Sequence, residues 1–391
     1  MATNVQLQEI EDVMDTNVQL QEIKAAVVHQ KGGPFELETL LLDAPRANEV
    51  LVRVVATGIC ATDLHAREGN LPTPLPAVLG HEGAGIIERV GSAVTTLKPG
   101  DQVVLSQQSD GNCPQCLKAH PAYCANIFQL NFFGARLDGT NTMRQPEGGH
   151  DREDPRGHFF GQSSFATYAL ATERNAVKVP DDVPLELLGP LGCGLGTGAG
   201  TVLNALKAGA GSSLAVFGTG PVGMAALMAG RAAGATKIIG VDVVPSRLAI
   251  ASELGATHVI DAREQDVRER IAAITGAGVE YVVETTGRPE MGALATEVLA
   301  PLGAAALIAL AKPGVRIPLD PSQLLVGGRS VQGVVQGDAI PQLFIPRLIE
   351  MYRAGLFPFD RLVRYYDFDQ INQAVADFQS GAVIKPILRM A

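Results

Sequence analysis

From Lys24 onward the chain sets short apolar runs between turn-forming residues. Residues 25–28 (AAVV), 49–56 (EVLVRVVA), 85–90 (GIIERV) and 101–105 (DQVVL) are rich in β-branched side chains and have Gly or Pro nearby. Runs of this length and spacing predict the strands of a compact antiparallel barrel. After Pro190 the texture changes. Residues 214–217, 237–242, 257–261, 279–284 and 304–310 are β-rich and alternate with Ala/Gly-rich helical stretches such as 224–233, the signature of a doubly wound parallel sheet in an α/β domain. His258, inside one of these runs, is expected to be buried and structural. The sheet is expected to end near 330–335, where an open edge offers a pairing surface for a second subunit. Helices over 342–354 and 369–380 and a last strand over 382–388 are expected to return the tail to the first domain.

Residues 3–10 (TNVQLQEI) recur as 16–23. One short duplication is not a solenoid, so residues 1–23 are expected to be an extension, poorly anchored or adding a marginal strand. The expected organisation is then a first domain over 24–192 and 337–391 and a second over 193–336. A length of 391 residues agrees with two cores. A formal charge of -10 argues against nucleic acid or an anionic membrane as partner. No stretch approaches the ~20 apolar residues of a membrane span, and no basic region followed by an apolar one marks the N-terminus. A cytoplasmic protein acting on small molecules is expected.

Five cysteines are an odd number, which fits metal ligation in a reducing compartment better than a disulfide framework. Residues 58–66 (GICATDLHA) and 80–85 (GHEGAG) crowd a thiol, a hydroxyl, carboxylates and imidazoles into two short segments. Thiolate and imidazole suit Zn2+, and a catalytic zinc needs three protein ligands with one position open. Cys60, His81 and the distant Cys193 are the predicted set. The remaining three fall in D-x2-C-x2-C-x7-C, from Asp110 through Cys113 and Cys116 to Cys124. That spacing predicts a closed, structural zinc lobe near 110–124, with Asp110 or His120 as the fourth ligand.

Residues 128–168 hold Phe128, Phe132, Phe133, Phe159, Phe160, Phe165 and Tyr168 around a polar, turn-rich loop over 144–156. These rings either wall an apolar substrate cleft or pack the lobe against its barrel. Further on, the run 214–217 leads into Gly218-Thr-Gly220-Pro221-Val222-Gly223 and a helix, and a second strand ends in Asp242. A G-x-G-x-x-G in that context predicts a dinucleotide site, with the pyrophosphate at the helix N-terminus and Asp242 on the adenosine ribose. The carboxylate favours NAD over NADP, and Arg247 keeps NADP open.

Taken in order, Cys60-x-Thr62-Asp63-x-His65, Gly80-His-Glu82, the cysteine lobe, Gly192-Cys-Gly194 and the glycine-rich turn resemble the zinc-dependent medium-chain dehydrogenase/reductase family. The lobe and residues 159–168 resemble its aryl-alcohol (benzyl alcohol) dehydrogenases. The resemblance implies a GroES-like barrel joined to a Rossmann domain and a zinc on Cys60, His81 and Cys193. It also implies Glu82 behind the metal, Asp63 fixing His81, and Thr62 and His65 carrying a proton outward. Family members carry four cysteines in the lobe, where this chain has Asp110 first. The implied activity is reversible oxidation of a primary aromatic or allylic alcohol to its aldehyde by hydride transfer to NAD; the open sheet edge adds the expectation of a homo-oligomer (dimer or tetramer). The rivals are a zinc-free quinone or enone reductase of the same architecture and a non-catalytic NAD-binding redox sensor.

Overall fold

The computed structural model describes residues 20–146, 153–310 and 314–390. Most of the duplicated segment and the middle of the polar 144–156 loop lie outside the described residues. The end of the second copy does not: Gln21–Val28 is a strand whose Gln21 and Glu22 pair with Leu42 and Leu41 of Glu36–Leu42. Ordered pairing therefore begins before Lys24.

Two sheets build the barrel. One has four strands, Ala77–Val78, Gln21–Val28, Glu36–Leu42 and Met143–Arg144. In the other, the central strand is Glu49–Gly58, paired antiparallel with Glu82–Val90, Tyr168–Thr172 and the C-terminal Lys385–Arg389. The tail thus returns to the first half of the chain, and Val363–Asp367 runs parallel beside Lys385–Arg389.

The second half is a six-stranded parallel sheet in the order His258–Asp261, Lys237–Asp242, Ser213–Phe217, Val279–Glu284, Leu299–Leu307, Ser330–Gly333. Ser213–Phe217 is buried at every position, as a central parallel strand with both faces covered must be. The chain leaves it at the point where strand order reverses, the crevice in which such sheets bind ligands. The expectation for His258 is corrected: it lies on an edge strand, exposed, its Nδ1 2.9 Å from Thr257 Oγ1. One apolar cluster runs through Val104, Leu191, Leu195, Val216, Met224 and Phe344, so barrel, glycine-rich helices and parallel sheet share a single packed seam. Among the described residues no helix is long and apolar enough to cross a membrane.

The segment after the cysteine lobe is fastened to the barrel by a buried ion network. Arg136 donates from Nε and Nη2 to the two oxygens of Glu49 at 2.6 and 3.0 Å and from Nη1 to Asp43 at 2.9 Å. The Arg136 and Glu49 side chains are only 6% and 5% exposed. Removing the cation leaves an unpaired buried carboxylate. Arg136→Met is expected to lower the unfolding free energy by about 3–5 kcal/mol, read by urea titration; a loss below about 1 kcal/mol contradicts the fastening role.

Candidate active site

Glu49–Gly58 ends where Cys60 caps the helix Ala61–Arg67. Asp63, in the first turn of that helix and fully buried, reaches back so that its Oδ2 accepts from the Cys60 amide at 2.9 Å. Its Oδ1 takes the Gly80 amide at 3.1 Å and His81 Nδ1 at 2.7 Å. In the neutral ring, Nδ1–H donating to Asp63 leaves the lone pair of His81 on Nε2, which lies 3.2 Å from Cys193 Sγ. Cys193 itself sits at the break between the turn Gly189–Gly192 and the helix Gly194–Gly200. Phe160 stacks on His81 at 4.4 Å between ring centres and restrains the imidazole further.

The donor atoms of Cys60, His81, Glu82 and Cys193 all lie within 4.8 Å of one another, and all four residues are buried. Donors around a tetrahedral Zn2+ are about 3.6 Å apart, so the predicted set fits such an ion. The local field favours positive charge at the same point. A hydrogen bond from Cys193 holds the Cys60 thiol well below its ordinary range, against the effect of burial, while Cys193 is driven up by the same bond. Burial opposes a proton on His81, yet Asp63 and Cys60 raise it well above the usual imidazole range.

Lys385 was missed by sequence reasoning. It is buried, and its Nζ donates to the two oxygens of Glu82 at 3.0 and 2.8 Å and to the Ile59 carbonyl at 3.0 Å. Burial pushes Glu82 up to about 7 with Lys385 holding it back. A lysine inside the apolar run 382–388 was the available signal, because a charge in a buried strand must have a partner.

The lobe brings together Asp110, Cys113, Cys116 and Cys124, again with ligand atoms within 4.8 Å of one another. Backbone amides point at the sulfurs: Ala125 N at 3.3 Å from Cys113 Sγ and Asp110 N at 3.4 Å from Cys124 Sγ. Partial burial raises the Asp110 carboxyl, but bonds from the Cys113 and Asn112 amides and from Asn126 outweigh it and hold the group well below the usual range. His120 is not brought to the cluster; its Nδ1 faces Asp338 Oδ1 at 2.8 Å.

A cavity of about 450 Å3 joins Cys60, Thr62 and Cys193 to Val222 of the glycine-rich turn. Its walls are mainly apolar, and of the seven candidate rings Phe128, Phe132 and Phe160 line it. Phe159 and Phe165 are core instead, Phe133 is exposed, and Tyr168 packs against the barrel interior. His65 is not on the cavity wall; it lies three residues beyond Thr62 on the same helix.

In the glycine-rich turn, Gly218 has φ +87, and a Cβ on Gly223 would lie 1.9 Å from the Gly218 carbonyl, so side chains there would block the strand-to-helix turn. Gly220 and Pro221 open the helix Pro221–Ala232 with its amide end toward the crevice. Asp242 is braced, Oδ2 accepting from Thr219 N and Oγ1 at 2.6 and 2.8 Å, and Oδ1 from Val243 N at 2.7 Å and Val244 N at 3.0 Å. A second cavity of about 280 Å3 joins Gly218, Gly220, Asp242 and Arg247 to Arg288, the last not anticipated from the sequence.

Comparison with known proteins agrees with this arrangement. Residues 46–181 match the alcohol dehydrogenase GroES-like domain and residues 221–352 the zinc-binding dehydrogenase domain. The chain is 47% identical over 372 residues to a geraniol dehydrogenase of Castellaniella defragrans, covering 93% of this chain and 97% of that protein. Two crystal structures superpose closely. An alcohol dehydrogenase zinc-binding domain protein from Burkholderia ambifaria is 52% identical with a TM-score of 0.93. Benzyl alcohol dehydrogenase from Acinetobacter calcoaceticus is 49% identical with a TM-score of 0.92. Each match covers 95% of this chain and all of the other.

The lobe geometry makes one expectation direct. Asp110→Ala should lower the metal-to-chain ratio by one, measured by elemental analysis, and reduce the unfolding temperature, whereas His120→Ala should leave both unchanged. Metal loss with His120→Ala alone would make histidine the fourth ligand.

Proposed function

The chain belongs to the zinc-dependent medium-chain alcohol dehydrogenase family, and from that premise we propose that it oxidises a primary aromatic or allylic alcohol reversibly to its aldehyde. On this reading Cys60, His81 and Cys193 hold a catalytic zinc, and Asp110, Cys113, Cys116 and Cys124 a structural one. Residues 24–192 and 337–391, extended at the start by the paired residues 21–23, serve as the catalytic domain and 193–336 as the cofactor domain. The observation that carries the proposal is the apolar cavity that touches the donor set at Cys60 and Cys193 and the glycine-rich turn at Val222. Two of the similar proteins are named for geraniol, an allylic alcohol, and benzyl alcohol, an aromatic one.

When bound, zinc supplies Lewis acidity that makes an alcohol hydroxyl more acidic, and the nicotinamide supplies the hydride acceptor. The protein's own part is positioning, exclusion of water and removal of a proton. Asp63 locks His81 with Nε2 toward the thiols. Thr62, on the cavity wall, takes the hydroxyl proton on its oxygen while giving up its own in the same relay, and His65, one turn further along, is the base that receives a proton from the relay and hands it to water. Phe128, Phe132 and Phe160 seat the apolar body of the substrate next to the reacting centre and keep water away from it.

NAD is the favoured cofactor, because the Asp242 carboxylate accepts ribose hydroxyls and repels a 2'-phosphate. Arg247 and Arg288 in the same cavity support NADP as a second reading; initial rates with the two cofactors decide between them. Leu302, Leu325 and Val326, each more than four-fifths exposed, and the open edge of Ser330–Gly333 support self-association. Five free cysteines support a reducing, cytoplasmic setting.

Cys60→Ser is expected to lose the catalytic zinc and lower kcat/KM for benzyl alcohol and geraniol about a thousandfold or more, followed by formation of reduced nicotinamide. Unchanged zinc content and turnover would remove the ligand assignment. His65→Gln should slow oxidation mainly at low pH, where a base is needed to take the proton; a pH profile like that of the unsubstituted enzyme excludes the relay.

A further inference from the structure

After the strand Ser330–Gly333 the chain crosses from the parallel sheet back toward the barrel in an uncommon backbone. Gln336, Gly337 and Asp338 have φ values of +49, +64 and +47. A positive φ is rare outside glycine, and three in succession, two of them with side chains, persist only where the surroundings fix them. Contacts on three sides do so. The Asp338 amide donates to the Val335 carbonyl at 2.9 Å and closes the turn. Asp338 Oδ1 faces His120 Nδ1 of the cysteine lobe at 2.8 Å. Asn204 donates from Nδ2 to the Gly337 carbonyl at 3.2 Å, and a Cβ on Gly200 would lie 2.6 Å from the same oxygen, so the turn is pressed onto the helix Gly194–Gly200 that starts right after Cys193.

That turn brings one side chain to the reacting centre. Gln336 is half-buried, lines the large cavity with Cys193 and Val222, and donates from Nε2 to Cys193 Sγ at 3.6 Å. His81 Nε2 also lies near that sulfur, at 3.2 Å, but in the neutral ring it presents a lone pair, so the hydrogen that reaches Cys193 is the amide's. An amide oxygen in the same place would be repelled by a thiolate, which settles which end of the side chain faces the sulfur. Cys60 Sγ has instead the Thr62 hydroxyl at 3.8 Å. In the cysteine lobe the donors to sulfur are backbone amides, from Ala125 to Cys113 and from Asp110 to Cys124. At Cys193 the donor is a side chain, carried on a constrained turn from the far side of the seam.

We propose that Gln336 is a positioning residue for the reaction: its amide N–H bonds the Cys193 thiolate and draws charge from it, so that a metal held by that sulfur polarises an alcohol more strongly. The inference rests on the metal-holding role proposed for Cys60, His81 and Cys193. A hydrogen bond to a ligand atom lowers the electron density the ligand gives, and removing such an outer partner changes metal affinity or activity about 10–100-fold.

The test exchanges the metal for Co2+, whose sulfur-to-metal charge-transfer absorption reports the electron density on each bound thiolate. The band to follow is the part of the spectrum that Cys193→Ser abolishes. Gln336→Met keeps the length of the side chain and removes the donor, and it should move that band to longer wavelength. Gln336→Glu, the same size as glutamine and without the donor, should move it at least as far, and carries the test alone should the methionine variant not fold. In the zinc-loaded enzyme Gln336→Met should lower kcat for benzyl alcohol about tenfold, with KM for the cofactor changed by less than about twofold. A band unmoved in the variants overturns the assignment. So does a moved band with kcat unchanged, or a raised cofactor KM with the band in place, which would give the amide to the cavity's occupant instead of to sulfur. If Cys193→Ser abolishes no absorption, the metal assignment of the proposed function falls; if it does and the Gln336 variants leave the band where it was, only the role of Gln336 falls.

Discussion

One buried carboxylate holds the site together. Asp63 ties the Cys60 amide, the Gly80 amide and the His81 ring to a single point from a fully buried position. An ionised carboxylate is tolerated there only because three donors satisfy it. Its effect is to set the angle at which two separate segments, the helix cap at Cys60 and the turn before Glu82–Val90, meet. It also dictates which imidazole nitrogen faces the thiols. Without that bond Cys60 and His81 have no common reference, and Cys193, delivered from the seam with the parallel sheet, has nothing fixed to meet.

The second constraint is charge. Two thiols, Glu82 and Asp63 bring acidic groups into one buried volume, and Lys385 is the buried amine set among them. The Lys385 amine and the proton that the bond to Cys60 and burial favour on Cys193 relieve the cluster, and positive charge placed where the donors converge would relieve it further. The cysteine lobe repeats the logic nearer the surface, with amides aimed at sulfur and Asp110 held ionised by its own loop. The lobe also contributes Cys124 and its neighbours Ala122 and Tyr123 to the wall of the large cavity, so it shapes the space beside Cys60 and Cys193.

How much of this was legible in the sequence depended on range. Both donor clusters could be read as groups of residues that the fold brings together, because closely spaced cysteines in loops have few other uses, and the glycine-rich turn could be read from its place between strand and helix. Lys385 escaped because its partner Glu82 lies 303 positions away; no local spacing encodes such a contact. Gln336 escaped for the same reason, 143 positions from Cys193. His258 was misjudged because an apolar run looks alike at the edge and the centre of a parallel sheet. The aromatic segment resolved into wall, core and surface, a division that only packing decides. Between His120 and Asp110 as lobe ligand the spacing left a choice, and the geometry brings Asp110 to the sulfurs.

The central claim is that three side chains from distant parts of the chain share one metal ion at the inner end of an apolar cavity. Anomalous diffraction at the zinc edge from crystals of the purified protein tests it most directly. The account predicts a peak about 2.3 Å from both Cys60 Sγ and Cys193 Sγ and about 2.1 Å from His81 Nε2. A peak confined to the Asp110 lobe, with none among those three atoms in zinc-replete crystals, would contradict it.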